Sequence, residues 1–143
     1  MNKKILIASD HAGYDLKNKL IEFMSEIKFD DLGTNNKKSV DYTDFANELA
    51  SKVSSDKDTK GILICASGIG MTISANKFKN VRAGLAFNSE IAKLMREHND
   101  ANILVLPGRF MDVHEAKKCV DNFFSGSFKG GRHSRRLKKI INK

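Results

Sequence analysis

One segment of the chain indicates its fold class clearly: Gly61-Ile62-Leu63-Ile64-Cys65-Ala66-Ser67-Gly68-Ile69-Gly70. Its first half is a short apolar run, which predicts a buried β-strand over Gly61–Cys65. The small residues of Ala66–Gly70 predict a tight loop. The residues that follow, Met71–Phe78, predict a short helix. A buried strand that leads through a glycine-rich loop into a helix is typical of parallel α/β sheets.

The same alternation extends along the whole chain in both directions. Further strands are predicted over Lys4–Ser9, Phe29–Leu32, Val81–Phe87 and Ala101–Leu106, and further helices over Gly13–Lys28, Asp41–Ser54, Glu90–His98, Asp112–Ser125 and His133–Ile141. Buried strands that alternate with helices imply a parallel sheet covered on both faces. With right-handed crossovers, we expect an α/β fold: a three-layer α/β/α sandwich with a five-stranded parallel Rossmann-like sheet.

The composition is that of a globular protein with one domain. The 143 residues are 41% hydrophobic and 29% charged, which predicts a single domain over residues 1–143. Apolar runs such as Ile62–Ala66 have about five residues, whereas a membrane-spanning helix needs ~20, so no membrane association is expected. The apolar run near the N-terminus is too short for a signal peptide, and a cytoplasmic location is expected.

The positive charge is concentrated at the C-terminus. The net charge is +8, and seven of the 25 basic residues lie in Phe128–Lys143, which has no acidic residue. Arg132 and Arg136 are four residues apart on one face of the last predicted helix, and a guanidinium group suits phosphate. Nucleic-acid binding is the competing interpretation, but the tail has no aromatic residue beyond Phe128. On that helix we expect His133, Leu137, Ile140 and Ile141 to form the packing side.

The loop after the central strand carries the sharpest chemical signal. In parallel sheets, ligands bind beyond the carboxyl ends of the strands. Successive backbone N–H groups of Ala66–Gly70 can form an anion-binding nest, which also favours the thiolate form of Cys65. Such a thiolate is either a nucleophile or a base that removes a proton from carbon. Alternatively, Cys65 is simply the last small buried residue of its strand. Cys119, within a helix, is expected to pack without chemistry.

Three further candidates lie at the ends of predicted elements. Asp10 follows the first strand, where it either caps the next helix or binds a hydroxyl group beside His11. His98 ends a helix and is expected on its buried or interface side; the alternative is an ordinary C-terminal histidine. The four histidines show no metal-ligand spacing, so no metal is expected.

In combination, these segments resemble the ribose-5-phosphate isomerase type B family, which also includes galactose-6-phosphate isomerase subunits. The matching segments are Ser9-Asp10-His11, Gly33-Thr34, Asp41-Tyr42, Gly61–Lys77, Arg82-Ala83, His98–Asn102, Gly108-Arg109 and Gly130–Arg136. They span nearly the whole chain in order.

The resemblance implies an aldose–ketose isomerase that needs neither a metal nor an organic cofactor. It would interconvert D-ribose 5-phosphate and D-ribulose 5-phosphate through an enediolate, in the pentose phosphate pathway. Cys65 would be the catalytic base, and Ser67 fills the family's hydroxyl position. The N–H groups that would stabilise the enediolate oxygen are those of Ala66, Ser67, Gly68, Ile69 and Gly70.

The resemblance also implies how the rest of the substrate is bound. His98 would assist ring opening, Asp10 would bind a sugar hydroxyl group, and Asn99 would bind sugar oxygens. The residues implied to hold the phosphate are Arg132 and Arg136, with His11 and Arg109 nearby. The family works as a homodimer, sometimes paired into tetramers, with sites at the interface. His98 and Asn99, or the arginines of the C-terminal helix at residues 130–143, would then come from the neighbouring chain.

Some positions depart from the family's pattern, and alternatives stay open. Ala66-Ser67 stands where Gly-Thr is common, Thr43 where proline is common, and Phe45 where an aromatic hydroxyl is frequent. These departures concern contacts to sugar hydroxyl groups. One alternative is an isomerase of another sugar phosphate, such as galactose 6-phosphate or allose 6-phosphate. The other is a non-catalytic protein that binds a phosphate ligand or nucleic acid.

Overall fold

The structure is a computed structural model that describes residues 4–141. Strands and helices alternate along this part of the chain, and two helices close it. In chain order they are β1 (Ile5–Ser9), α1 (Tyr14–Phe23), β2 (Phe29–Asp31), α2 (Tyr42–Ser55), β3 (Lys60–Cys65), α3 (Ile69–Ala75), β4 (Ala83–Leu85), α4 (Ser89–Asn99), β5 (Ile103–Pro107), α5 (Val113–Ser125) and α6 (Arg132–Ile141).

The five strands form one parallel sheet in the order β2-β1-β3-β5-β4. The predicted fold is thereby confirmed. Strand β2 lies on one side of β1, and β3 lies on its other side. The direction in which successive strands are added therefore reverses between β1 and β3. Such a switch point opens a crevice at the carboxyl ends of the strands. Ser9 pairs with Ile64 and Cys65 pairs with Pro107, so the ends of β1, β3 and β5 lie at one edge.

Two apolar cores cover the two faces of the sheet. Alternate strand residues such as Ile62 and Leu63 point to opposite faces. One core joins Ile62 to α1, α4 and α5, and the other joins Leu63 to α2 and α3. Helices on both faces leave the strand ends and their loops as the exposed part of the sheet, which is where a site can form.

Several elements begin or end away from their predicted limits. Helix α1 ends at Phe23 rather than Lys28, because a turn follows in which Met24 is buried in the core. Helix α3 begins at Ile69, two residues before the predicted start. Strand β4 is confined to Ala83–Leu85 rather than Val81–Phe87, because the N–H group of Arg82 donates to the side chain of Asn102.

Helix α6 begins at Arg132, one residue before the predicted start, and packs against α4. Leu137 is buried as expected. The expectation for Ile140 and Ile141 is wrong, because these side chains are 62% and 55% exposed. The last two residues of the expected C-terminal helix, 142 and 143, lie outside the described residues, as do residues 1–3 of the expected domain. Within residues 4–141, no helix has the length and apolar character needed to cross a membrane.

Candidate active site

Three loops meet at the carboxyl edge of the sheet, after β1, β3 and β5. The N–H of Asp10 donates to the carbonyl of Ile64 over 3.2 Å, which ties the first loop to β3. The N–H of Gly108 donates to the carbonyl of Cys65 over 2.8 Å, and that of Arg109 donates to Ala66 over 3.0 Å. The predicted candidates Asp10, His11, Cys65–Gly70 and Arg109 are therefore gathered at one place.

Cys65 is the last residue of β3, and its side chain is only 5% exposed. The loop that follows it presents unused donors. Among the described residues, the N–H groups of Ser67, Gly68 and Gly70 have no hydrogen-bond acceptor. The N–H of Ile69 instead donates to Oγ of Ser67 over 3.3 Å. Of the five N–H groups predicted for the nest, that of Ile69 is thereby taken by a neighbouring side chain, and the loop that carries the others directly follows Cys65.

Gly68 allows the chain to turn from this loop into α3. Its φ is +79°, in the left-handed region that disfavours side chains. A Cβ atom at this position would also lie 2.4 Å from Cδ1 of Leu85. Both observations explain why this loop needs glycine at its centre.

The two interpretations of Asp10 are compatible in the structure. Its Oδ1 accepts the N–H of Gly13 over 3.0 Å, so the carboxylate caps the start of α1. Within residues 4–141, Oδ2 makes no hydrogen bond. The cap fixes the direction of the carboxylate, and the second oxygen remains available for a substrate hydroxyl group.

His11 is held in one tautomer by the loop between β2 and α2. Its Nδ1 accepts the N–H of Val40 over 3.2 Å. Because Nδ1 uses its lone pair in this bond, the neutral ring carries its hydrogen on Nε2. His11 therefore presents an N–H donor on its far side, as a phosphate or sugar oxygen requires.

Tyr42 borders the candidate site, although the sequence predicted no role for it. Its ring lies directly over Gly70, because a Cβ atom built on Gly70 would be 2.5 Å from two ring carbons. The ring is partly exposed and borders the nest. The only sequence signal was the Asp41-Tyr42 pair among the segments that match the family.

The other predicted candidates form a second cluster at the opposite edge of the sheet. Helix α4 begins near the carboxyl end of β4 and ends at His98 and Asn99, next to the start of β5. At about 1.5 Å per residue, its 11 residues span roughly 16 Å. Arg132 and Arg136 are on α6, which packs against α4. A single chain therefore does not bring His98, Asn99, Arg132 and Arg136 to Cys65.

The rings of His98 and His133 are stacked within this second cluster. Their centroids are 4.3 Å apart and their planes differ by 13°. The chain before α6 is held to α4, where Nζ of Lys129 lies 2.9 Å from Oε2 of Glu97. Partial burial, the neighbouring His98 ring and the cations Arg132, Arg136 and Lys129 lower the pKa of His133.

The lowered pKa of His133 predicts a loss of stability in mild acid. As pH falls through about 6.5, the unfolded chain takes up a proton that the folded chain resists, so the free energy of unfolding decreases. We expect the melting temperature of the wild type to fall between pH ~7.5 and ~5.5 more than that of His133→Phe, which keeps a ring against His98. Thermal scans in matched buffers measure this difference. An equal fall in both proteins would contradict the prediction.

Cys119 is the second buried cysteine and lies on α5. Burial raises the pKa of the Cys119 thiol to about 12, with a further contribution from Glu115, which agrees with its predicted role in packing. Within residues 4–141, no group of three or more His, Cys, Asp or Glu residues is placed to hold a metal ion.

A buried thiol and an imidazole of one tautomer lie with a glycine-rich loop at the switch point of a parallel sheet, the place where α/β enzymes bind their ligands. A family model described as Ribose/Galactose Isomerase matches residues 5–140. The chain belongs to this ribose/galactose isomerase family.

Individual relatives are similar over nearly the whole chain. The probable ribose-5-phosphate isomerase B of Mycoplasma genitalium is 46% identical over 146 aligned residues, covering 99% of this chain and 95% of that protein. The crystal structure of a ribose 5-phosphate isomerase from Thermotoga maritima has a TM-score of 0.95 at 43% identity and covers 100% of both chains. A Mycoplasma genitalium structure with bound ribulose-5-phosphate has a TM-score of 0.92 at 43% identity, covering 97% of this chain and 94% of that one.

Proposed function

We propose that this chain is a ribose-5-phosphate isomerase that interconverts D-ribose 5-phosphate and D-ribulose 5-phosphate, as one domain over residues 1–143. The observation that carries the proposal is that Cys65, buried at the end of β3, directly precedes a loop in which the N–H groups of Ser67, Gly68 and Gly70 have no acceptor among the described residues. A proton on the carbon next to a carbonyl is acidic only if the resulting oxyanion is stabilised. The reaction therefore needs a base to take the proton and N–H donors to stabilise the oxyanion. Cys65 and the nest provide these two groups at the same strand end.

In the proposed mechanism, Cys65 acts as a thiolate on the open-chain sugar. Sγ takes the proton from C2 of ribose 5-phosphate, the C1–C2 double bond forms, and negative charge develops on O1. Sγ then returns the proton to C1. The O2 hydroxyl proton passes to O1 and the carbonyl forms at C2, which gives ribulose 5-phosphate. No electrons leave the substrate, so the reaction needs no oxidant or reductant.

The other site residues at the carboxyl edge of the sheet bind the parts of the substrate around C1 and C2. The nest receives the developing oxyanion, and the hydroxyl group of Ser67 lies in the same loop. Oδ2 of Asp10 accepts a sugar hydroxyl group, and Nε2–H of His11 donates to an oxygen of the phosphate end. Arg109 and Tyr42 border this group of residues. We therefore place the reacting carbons beside Cys65 and the phosphate farther out.

The complete site is proposed to form between two copies of the chain. His98 is proposed for ring opening, Asn99 for sugar oxygens, and Arg132 and Arg136 for the phosphate. In one chain these residues lie at the end of α4 away from the carboxyl edge, roughly 16 Å along the helix, or on α6, which packs against α4. A neighbouring chain supplies them without any change of fold. Exposed apolar side chains border both edges and support such contact: Ile69, Ile73 and Phe110 at one, Ile140 and Ile141 at the other. The proposed assembly is a homodimer, or a tetramer of two dimers, in the cytoplasm.

The experiment that tests this function is isomerisation by the purified chain alone. We expect it to convert ribose 5-phosphate to ribulose 5-phosphate in the presence of a chelator, with galactose 6-phosphate and allose 6-phosphate as competing substrates. A much larger kcat/KM for either hexose phosphate would move the proposal to that sugar. No conversion of any of the three would reject an isomerase made of this chain alone.

A further inference from the structure

Lys17 is fully buried, although it carries an ammonium group. It lies on α1, and its side chain is 1% exposed. Burying a charge is costly unless it is paired, and replacing such pairs by apolar residues is often neutral or stabilising. Lys17 also lies outside the group of residues proposed to touch substrate. Its burial therefore calls for a role other than stability or direct catalysis.

The contacts of Lys17 hold the start of the loop between β2 and α2. Its Nζ donates to Oδ1 of Asp31 over 2.7 Å and to the carbonyl of Thr34 over 2.8 Å. It also lies 5.7 Å from the centroid of the Tyr14 ring. The same Oδ1 of Asp31 accepts the N–H of Gly33 over 2.9 Å. One ammonium group thus fixes both the carboxylate and the backbone where the loop leaves the sheet.

The loop is tethered at its two ends and exposed between them. At its start, the N–H of Thr34 donates to the carbonyl of Ser9, and the N–H of Ser9 donates to the carbonyl of Gly33. Residues 35–39 are exposed. At its far end, the N–H of Val40 donates to Nδ1 of His11. Between these ends, Lys37 forms an exposed ion pair with Asp15 over 3.2 Å, a kind of contact that holds a loop only weakly. We therefore expect the position of the Val40 N–H to depend on how the buried end is held.

Two residues of the candidate site, His11 and Tyr42, lie next to the far end of the loop between β2 and α2. His11 receives its tautomer from Val40, and Tyr42 begins α2 two residues later with its ring over Gly70. A shift of the loop by about 1 Å would lengthen the Val40–His11 bond beyond hydrogen-bonding distance. His11 would then populate both neutral tautomers, and its Nε2 would no longer be a constant donor.

We propose that Lys17 is a positioning residue of the isomerase: its buried ammonium group fixes the loop at Thr34, and the loop holds His11 in the tautomer that donates from Nε2. The proposal rests on the proposed function for the identity of the substrate. The tautomer of His11 can be measured whatever the substrate is, because it is a property of the protein without ligand.

The main test is the double variant Lys17→Met with Asp31→Asn, which removes both charges together. We expect KM for ribose 5-phosphate to rise about tenfold while kcat changes less than about threefold, because a binding contact is lost. Lys19→Met is the matched control, since it removes an exposed lysine from the same helix.

The second readout is the nitrogen spectrum of His11, recorded without substrate by long-range ¹H–¹⁵N NMR at about pH 8, where an ordinary histidine is neutral. In the wild type and Lys19→Met, we expect protonated Nε2 and unprotonated Nδ1. In the double variant, the two nitrogen shifts should move toward each other. A folded double variant with the wild-type pattern and KM would overturn the proposal.

Lys17→Gln decides the case if the double variant does not fold, because the shorter amide does not replace the ammonium group between Asp31 and Thr34. Val40→Pro, which removes the N–H that His11 accepts and leaves Lys17 and Asp31 in place, gives the reference signal for a lost Val40 bond. For Lys17→Gln we expect the same mixed tautomer signal and the same rise in KM, and an unchanged His11 pattern would overturn the proposal. If the wild type did not isomerise ribose 5-phosphate, the proposed function would fail, while the nitrogen spectra would still decide whether Lys17 positions His11.

Discussion

Cys65→Ala is expected to lower kcat for ribose 5-phosphate by about a hundredfold to ten-thousandfold, the range that a positioned general base contributes. The substitution removes the atom proposed to carry the proton between C2 and C1. It adds no group and leaves the N–H donors of Ser67, Gly68 and Gly70 in place. KM should change little, because the thiol is proposed to act on the reacting carbon rather than on the phosphate. Steady-state kinetics with ribose 5-phosphate measures both constants.

Cys119→Ala is the matched control for this experiment. It removes the other buried thiol, which packs between Met111 and the core and has a pKa near 12. We expect it to cost stability while kcat stays near the wild-type value. If Cys65→Ala folded and retained full activity, Cys65 would not be the base, and the proton transfer would have to be assigned to another residue.

Replacing both Arg132 and Arg136 by alanine is expected to raise KM for ribose 5-phosphate by about a hundredfold or more. Each charge-assisted hydrogen bond contributes roughly 1.5–3 kcal/mol, which corresponds to about tenfold or more in binding. The arginines share one exposed face of α6 and are proposed to hold the phosphate of a substrate that lies against the neighbouring chain. kcat should fall much less than kcat/KM.

Arg135→Ala with Lys139→Ala is the matched control for the arginine pair. It removes the same charge at the same four-residue spacing from the same helix, but from positions that have no proposed role. KM should stay within about threefold of the wild type at moderate ionic strength, where exposed charges are screened. An equal rise in KM for both double variants would show that the helix acts only through its general charge.

The fold could be predicted because its signals are local. The apolar run Gly61–Cys65 and the small residues that follow it define a strand, a turn and the start of a helix. The same pattern recurs along the chain. The limits of the elements were less accurate, since a side chain distant in sequence can end a strand. In β4, for example, Asn102 takes the N–H of Arg82.

The candidate site could be predicted only in part, because its geometry depends on long-range contacts. Asp10, His11 and Cys65 follow from the rule that parallel strands end at one edge. The tautomer of His11 could not be predicted, since it depends on Val40, 29 residues away in the sequence. Nothing in the sequence pattern marked Lys17 as buried, because lysine on an amphipathic helix is normally exposed.

Only the family resemblance implied that Cys65 lies apart from His98, Asn99 and the two arginines within one chain. His98 and Asn99 follow a strand and a helix after Cys65, and sequence order alone does not say at which edge they lie. The structure shows that α4 carries them back to the start of β5. Because one chain does not bring the predicted residues together, we propose that two chains share each site.

A two-chain site can be tested by mixing two variants that each have little activity when ribose 5-phosphate is kept near the wild-type KM. Cys65→Ala chains are unfolded and refolded together with equal amounts of chains that carry Arg132→Ala and Arg136→Ala. If each site takes Cys65 from one chain and the arginines from the other, half of the dimers are mixed. Each mixed dimer then has one intact site, so about a quarter of the wild-type activity returns. Activity no higher than that of the separate variants, with mixed dimers present, would contradict a site shared between two chains.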